Sequence, residues 1–164
     1  MVKHIGLTLI ELLIGLAFLA MVLCCCIPSL DKNYQENQLQ IVVVQIKNIL
    51  QFARTQALLR GQTLALTPLP DANDWKKGMI LFVDNPRHLY SQNSEIIHEW
   101  HWNHSAEVDV LWQGFQSRHY LLFSPTLRQS TLNGYFLIKN KRIQQKLIVN
   151  RFGKVRENIV ARIF

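Results

Sequence analysis

After Cys26 the chain contains no cysteine, and the three it has, Cys24, Cys25 and Cys26, are consecutive. No disulfide can staple the residues that follow. Helical neighbours 100° apart point in different directions, which does not suit a shared metal ion, so these thiols read as apolar packing. Charge is missing over the same region: no Asp, Glu, Lys or Arg occurs from Leu12 to Leu30, and Asp31 ends the gap. Glycine and proline are scarce, seven and five in 164 residues, and neither occurs between residues 31 and 60. Nothing there breaks a helix. No Gly-rich phosphate loop, internal repeat or convincing nucleophile–base pair is present. The histidine-rich stretch His98-Glu99-Trp100-His101-Trp102-Asn103-His104 lacks the His-Glu-x-x-His spacing that a zinc hydrolase needs. On a strand, His98, Trp100, Trp102 and His104 would share one face, with Glu99 and His101 on the other, which reads as packing or a partner-contact stripe. The chain is expected to be no enzyme and to need no metal or cofactor.

What is present begins with Gly6-Leu7-Thr8-Leu9-Ile10-Glu11, which opens an apolar run reaching Leu30. As a helix, residues 7–30 would extend roughly 36 Å at about 1.5 Å each, against a hydrocarbon core of roughly 30 Å. Glu11 is costly there, and an intramembrane carboxylate calls for a named partner. A secretory signal peptide does not fit, because the run is too long and Cys24-Cys25-Cys26-Ile27-Pro28 offers no small-residue exit. A lipoprotein box fails at Leu23, and a plain anchor leaves Glu11 unexplained. The pattern resembles the N-terminus of a type IV prepilin or pseudopilin. That resemblance implies cleavage after Gly6 by prepilin peptidase, methylation of Leu7, and pairing of Glu11 with the N-terminal amine of a neighbouring subunit. Lys3 and His4 keep the leader cytoplasmic, so everything after Asp31 faces outward: single-pass in the bacterial inner membrane, head in the periplasm, then pilus or pseudopilus.

Beyond the run, Leu39, Val42, Val43, Ile46, Ile49, Leu50, Ala53, Ala57 and Leu58 recur at three-to-four spacing. They mark one apolar helix face, and Gly61 reads as its C-cap. Strand patterns follow at Thr63–Leu69, Gly78–Val83, Glu95–Trp102, Val108–Trp112, Tyr120–Ser124, Tyr135–Ile138 and Lys146–Asn150. One helix followed by short strands is an α+β arrangement, a long helix packed on a head of antiparallel sheets. The predicted organisation is a leader at 1–6, a transmembrane helical part at 7–30, an exported amphipathic part at 31–61 and a β-rich head at 62–164.

Two head segments narrow the resemblance. Trp75-Lys76-Lys77-Gly78-Met79-Ile80-Leu81-Phe82-Val83-Asp84 is similar to the tryptophan, glycine, strand and aspartate signature of FimT/GspH-type minor pseudopilins. Lys146 to Arg156 resembles that family's final strand and Gly-Arg-x-Arg motif, with Lys154 standing where arginine is preferred. Leu127-Arg128 occupies a segment where glycine is more usual.

Charge supplies a separate argument. Residues 62–115 hold three Lys/Arg (Lys76, Lys77, Arg87) against seven acids (Asp71, Asp74, Asp84, Glu95, Glu99, Glu107, Asp109), a formal −4. Residues 116–164 hold ten Lys/Arg against Glu157 alone, a formal +9. Such a split suits a polyanion-binding face, or a surface meeting acidic neighbours in a filament. Gly153 permits a tight turn, around which Arg151, Lys154 and Arg156 would project from one loop while Val155 turns inward. Arginine forks grip phosphate bidentately, and Lys154 adds a point charge. Lys139, Lys141, Arg142 and Lys146 are weaker candidates. The resemblance implies binding of double-stranded DNA during uptake in natural transformation. The alternative is a structural pseudopilin of type II secretion or pilus assembly, whose partners are other pilin or pseudopilin subunits.

Overall fold

The uninterrupted stretch before Gly61 forms part of a single helix, α1, Leu9–Arg60. Gly61 ends it at φ +64°, the left-handed conformation that glycine adopts at helix C-caps without a Cβ penalty. The computed structural model describes residues 9–70, 74–102, 108–126, 130, 132–141 and 143–162, without the side chains of 23–33 and 159–162. Gly6, Leu7, His104 and Arg142 lie outside the described residues. The chain divides into two compact units, Met1–Glu36 and Asn37–Phe164.

In the first unit every described side chain from Leu9 to Val22 is exposed, including Leu9, Ile10, Phe18 and Met21. Among the described residues no helix is long and apolar enough to cross a membrane. The span expected over 7–30 includes residues 7, 8 and the side chains of 23–30, which fall outside that description.

The second unit is built on the predicted apolar helix face. Leu39, Val42, Val43, Ile46, Ile49, Leu50, Ala53 and Ala57 are each at most 3% exposed. Leu58 is a correction: it is exposed, as are Leu59 and Arg60, so the buried stripe stops at Ala57 and the last turn of the helix lies beyond it. Eight strands follow: β1 Leu64–Pro68, β2 Gly78–Val83, β3 Ile96–His101, β4 Asp109–Gly114, β5 Leu121–Phe123, β6 Gly134–Lys139, β7 Ile143–Val149 and β8 Val155–Arg162. They form two antiparallel four-stranded sheets, ordered β3-β2-β1-β5 and β4-β6-β7-β8. The α+β architecture is as the sequence predicts; β8 is an additional strand.

Both sheets turn one face toward the helix. Leu64, Leu66, Met79, Leu81, Leu121 and Phe123 from the first, and Val110, Trp112, Phe136, Ile138, Leu147 and Val149 from the second, join its buried stripe in one core. Fully burying a residue such as Leu or Phe contributes about 1.5–3 kcal/mol, so this shared core dominates the head's stability. On its other face the first sheet carries a smaller cluster of Ala65, Leu69, Ile80, Phe82 and Leu122, with Tyr90 and Tyr120 packed on it.

Candidate functional site

The basic C-terminal residues belong to a hairpin. Register pairs Val149 with Val155, and the turn between them is Asn150-Arg151-Phe152-Gly153-Lys154. Asn at the first position and Gly at the fourth is a type I turn signature. The Gly153 N–H donates to the Asn150 carbonyl at 2.9 Å, and Gly153 takes φ +77°. The Asn150 side chain fastens the turn: its Oδ1 accepts from the N–H groups of Phe152 at 3.0 Å and Lys154 at 2.8 Å. The Asn150 N–H donates back to the Lys154 carbonyl at 3.0 Å. Asn150 was not singled out from sequence, although its spacing to Gly153 carried the signal.

This corrects the single-loop expectation. Arg151 and Lys154 lie on the turn, whereas Arg156 is already in β8, paired with Ile148. Val155 does turn inward, packing on the main core. Alternation then sends Arg156 to the outer face of the second sheet. The registers align it in a row with Gln113, Tyr135 and Ile148. Arg151, Lys154 and Arg156 are all exposed, and Phe152 at the tip is 67% exposed. Another exposed ring, Phe115 at 88%, follows β4 at the same end of the sheet, its N–H bonded to the Asn133 carbonyl at 3.0 Å.

The weaker candidates separate. The Lys146 Nζ sits 3.6 Å from the centroid of the Tyr135 ring, a cation–π contact on the outer face, one row from Arg156. Lys139 lies 3.6 Å from Asp109, directly across the register. It is at the far end of β6 from the turn, five residues beyond Gly134 and so roughly 17 Å away. Lys141 follows it and is exposed. The hairpin cluster is therefore Arg151, Lys154 and Arg156, with Lys146 adjoining, and not the whole basic segment.

Two helix cations missed in the sequence reading approach this hairpin. Lys47 forms an ion pair with Glu157 of β8. Arg54 donates through Nη1 to the Ser124 carbonyl at 2.6 Å. Neither was legible as a partner of residues 110 and 70 positions away.

The histidine-rich strand packs one face against the helix, while four of its six residues are exposed. His98 and Trp100 share the helix-facing side and contact the Phe52 ring, each with centroids 5.6 Å apart. Glu99 and His101 take the other face, with the His101 Nε2 2.8 Å from the Glu99 Oε1. Trp102 lies just past the strand end; its Nε1 donates to the Trp75 carbonyl at 2.7 Å. Among the described residues no three His, Cys, Asp or Glu side chains are grouped to hold a metal ion.

Residues 43–153 match the family model described as type II transport protein GspH. Among solved structures, the chain is similar to the type IV minor pilin FimU of Pseudomonas aeruginosa strain PAO1 in two crystal forms. One gives a TM-score of 0.59 at 16% identity, covering 79% of this chain and 98% of FimU. The other gives 0.53 at 14% identity, covering 76% and 99%. At such identities the likeness shows the fold. No curated protein matches by sequence.

Proposed function

Because the chain belongs to the GspH family, whose model matches more than half of it, we propose that it is a minor pilin-type subunit acting by assembly and binding. Prepilin peptidase removes residues 1–6 by cutting after Gly6, and Leu7 becomes the methylated N-terminus. Residues 7–30 hold the subunit in the inner membrane before assembly. The apolar side chains exposed from Leu9 to Val22 support this placement, since so continuous an apolar surface calls for lipid or protein cover. Glu11 pairs with the N-terminal amine of a neighbouring pilin subunit in the filament.

The head binds extracellular double-stranded DNA through the β7–β8 hairpin, for uptake in natural transformation. The observation that carries this reading is the fastened turn. The Asn150 side chain ties down the backbone of the turn that bears Arg151 and Lys154, with Arg156 in the adjoining row. With the turn backbone already fixed, the freedom lost on meeting phosphate is that of the side chains alone. The contacts go to backbone oxygens, so binding is tolerant of sequence and weakened by salt.

The test is duplex binding by the full chain in detergent, followed by fluorescence anisotropy over a salt series. Lys154→Ala with Arg156→Ala is expected to weaken binding evenly across sequences and to make the salt slope shallower by about 0.9 per lost phosphate contact. Salt-insensitive or absent binding by the wild type sinks the DNA reading. A structural subunit of type II secretion then remains. The family's own description and the Lys139–Asp109 and Lys47–Glu157 pairs, which engage cations within the protein, favour that alternative.

A further inference from the structure

The β7–β8 hairpin faces α1 across a depression of about 350 Å³, lined by Lys47, Gln51, Arg54 and Thr55 from the helix and by Gly153 and Val155 from the hairpin. The helix residues stand at i, i+4, i+7 and i+8, one face beside the buried stripe. All four carry hydrogen-bond donors: an ammonium, an amide, a guanidinium and a hydroxyl. Gly153 on the opposite wall presents no side chain, so a ligand backbone can come close. Among the described residues no carboxylate lines the depression.

One acid stands next to it. Glu157, alone among the basic residues of 116–164, pairs with Lys47. It is held from behind, because its Oε2 accepts from the Gln145 Nε2 at 3.0 Å. Gln145 is itself 1% exposed, and its Oε1 accepts from the Gln40 Nε2 at 3.4 Å. Arg54 commits one of its five N–H groups to the Ser124 carbonyl. β8 is an edge strand of its sheet, and positive side chains lie on both its faces: Arg156 outward, Lys47 and Arg54 on the helix side.

The geometry points to this depression as a second phosphate subsite for the DNA backbone, with Glu157 as its tuning residue. The inference rests on the DNA reading of the hairpin. A phosphodiester entering the depression takes donors from Arg54, Gln51 and Thr55 and competes with Glu157 for Lys47. Glu157 thereby lowers the affinity that the bare cations would give. Arg54 and Lys47 are binding residues; Glu157 acts through Lys47.

The test uses the full chain in detergent and mixed-sequence duplex DNA, titrated over a salt series, with thermal melting of each variant. Glu157→Gln keeps the shape and an acceptor for Gln145 while removing the charge. It is expected to tighten binding about 3- to 10-fold at low salt and to steepen the salt slope by up to about 0.9. Arg54→Gln and Lys47→Ala are each expected to weaken binding several-fold without touching Lys154. Glu95→Gln, which releases Arg60 elsewhere and raises net charge equally, should leave affinity within about 1.5-fold, so that charge alone is controlled for. If the wild type binds and Lys154→Ala weakens it, yet Glu157→Gln is no tighter and Arg54→Gln no weaker at unchanged melting, the subsite is overturned and the hairpin reading stands. If Glu95→Gln tightens binding as much as Glu157→Gln, the tuning role is overturned. If the wild type does not bind DNA, both fall.

Discussion

Gly78 sits at φ +147°, a backbone conformation that L side chains rarely adopt. A Cβ added there would lie 2.1 Å from the Trp100 carbonyl oxygen and 2.7 Å from the Leu69 Cδ1. Neither neighbour is free to retreat: one is strand backbone and the other belongs to the smaller buried cluster. The tryptophan three residues earlier is locked as closely. Trp75 is 6% exposed, donates from Nε1 to the Arg118 carbonyl at 3.3 Å, and meets Phe136 edge-on at 5.7 Å. The Trp–Gly spacing that reads in the sequence as a family mark is thus a steric requirement of the junction between β2, β3 and the core. Gly78→Ala is expected to destabilise the head by about 3 kcal/mol or more, through overpacking and strained backbone together. Urea denaturation of the full chain in detergent, followed by tryptophan fluorescence, measures it. Gly15→Ala, with nothing within 4 Å of its added Cβ, is the matched control and should leave the head's midpoint unmoved. An unmoved midpoint for Gly78→Ala would refute the steric account.

At the scale of the element, the β7–β8 hairpin depends on an uncharged residue. Asn150→Ala removes the acceptor for the Phe152 and Lys154 N–H groups. Each such bond is worth about 0.5–1.5 kcal/mol, and the loss falls on a surface turn and not on the core. Amide exchange at Phe152 and Lys154 should therefore speed up, while Phe136, fully buried in β6, stays protected. Duplex affinity should fall too, although no charge has changed, because the cations lose their fixed platform. Unchanged exchange at both turn amides would show that the Oδ1 bonds are not what holds the turn. How far this element was legible differs along its length. The helix face and the Gly61 cap were plain, because a buried stripe repeats at helical spacing and a left-handed cap needs glycine. β8 was not, because its first half, Val155-Arg156-Glu157-Asn158, carries one apolar residue in four, and the Ile159-Val160-Ala161 that follows is a run without alternation. An edge strand with one solvated face, whose inward Glu157 is satisfied by Lys47 of a distant helix, leaves no apolar alternation to read. The turn itself was half legible: Gly153 announced the bend, and the Asn150 side chain that fastens it went unread.

For the whole molecule, the charge division seen along the chain is not a division between sheets. β4, from the acidic stretch, lies in the sheet with β6, β7 and β8, while β5, from the basic stretch, crosses to the sheet of β1, β2 and β3. Sequence order alone could not show this exchange, because a short strand such as Leu121–Phe123 is apolar throughout and carries no sign of which neighbour it pairs with. Function is divided along a different line. The core that stabilises the head begins at Leu39, inside the unit Asn37–Phe164, whereas Glu11 belongs to the unit Met1–Glu36. Glu11 is not among the residues of that core. Glu11→Ala is therefore expected to leave the head's melting temperature, and its duplex affinity in detergent, equal to wild type. Membrane insertion should also persist, since alanine makes the N-terminal run more apolar. Filament incorporation is expected to fall at least about tenfold, because a carboxylate opposite an amine away from water is worth 1.4 kcal/mol or more in partner choice. Quantifying the subunit in sheared filaments against total membrane protein, alongside melting of the purified chain, separates the two effects. Normal incorporation by Glu11→Ala would remove the pairing role from Glu11, and a lowered melting temperature would show that the two units are not independent.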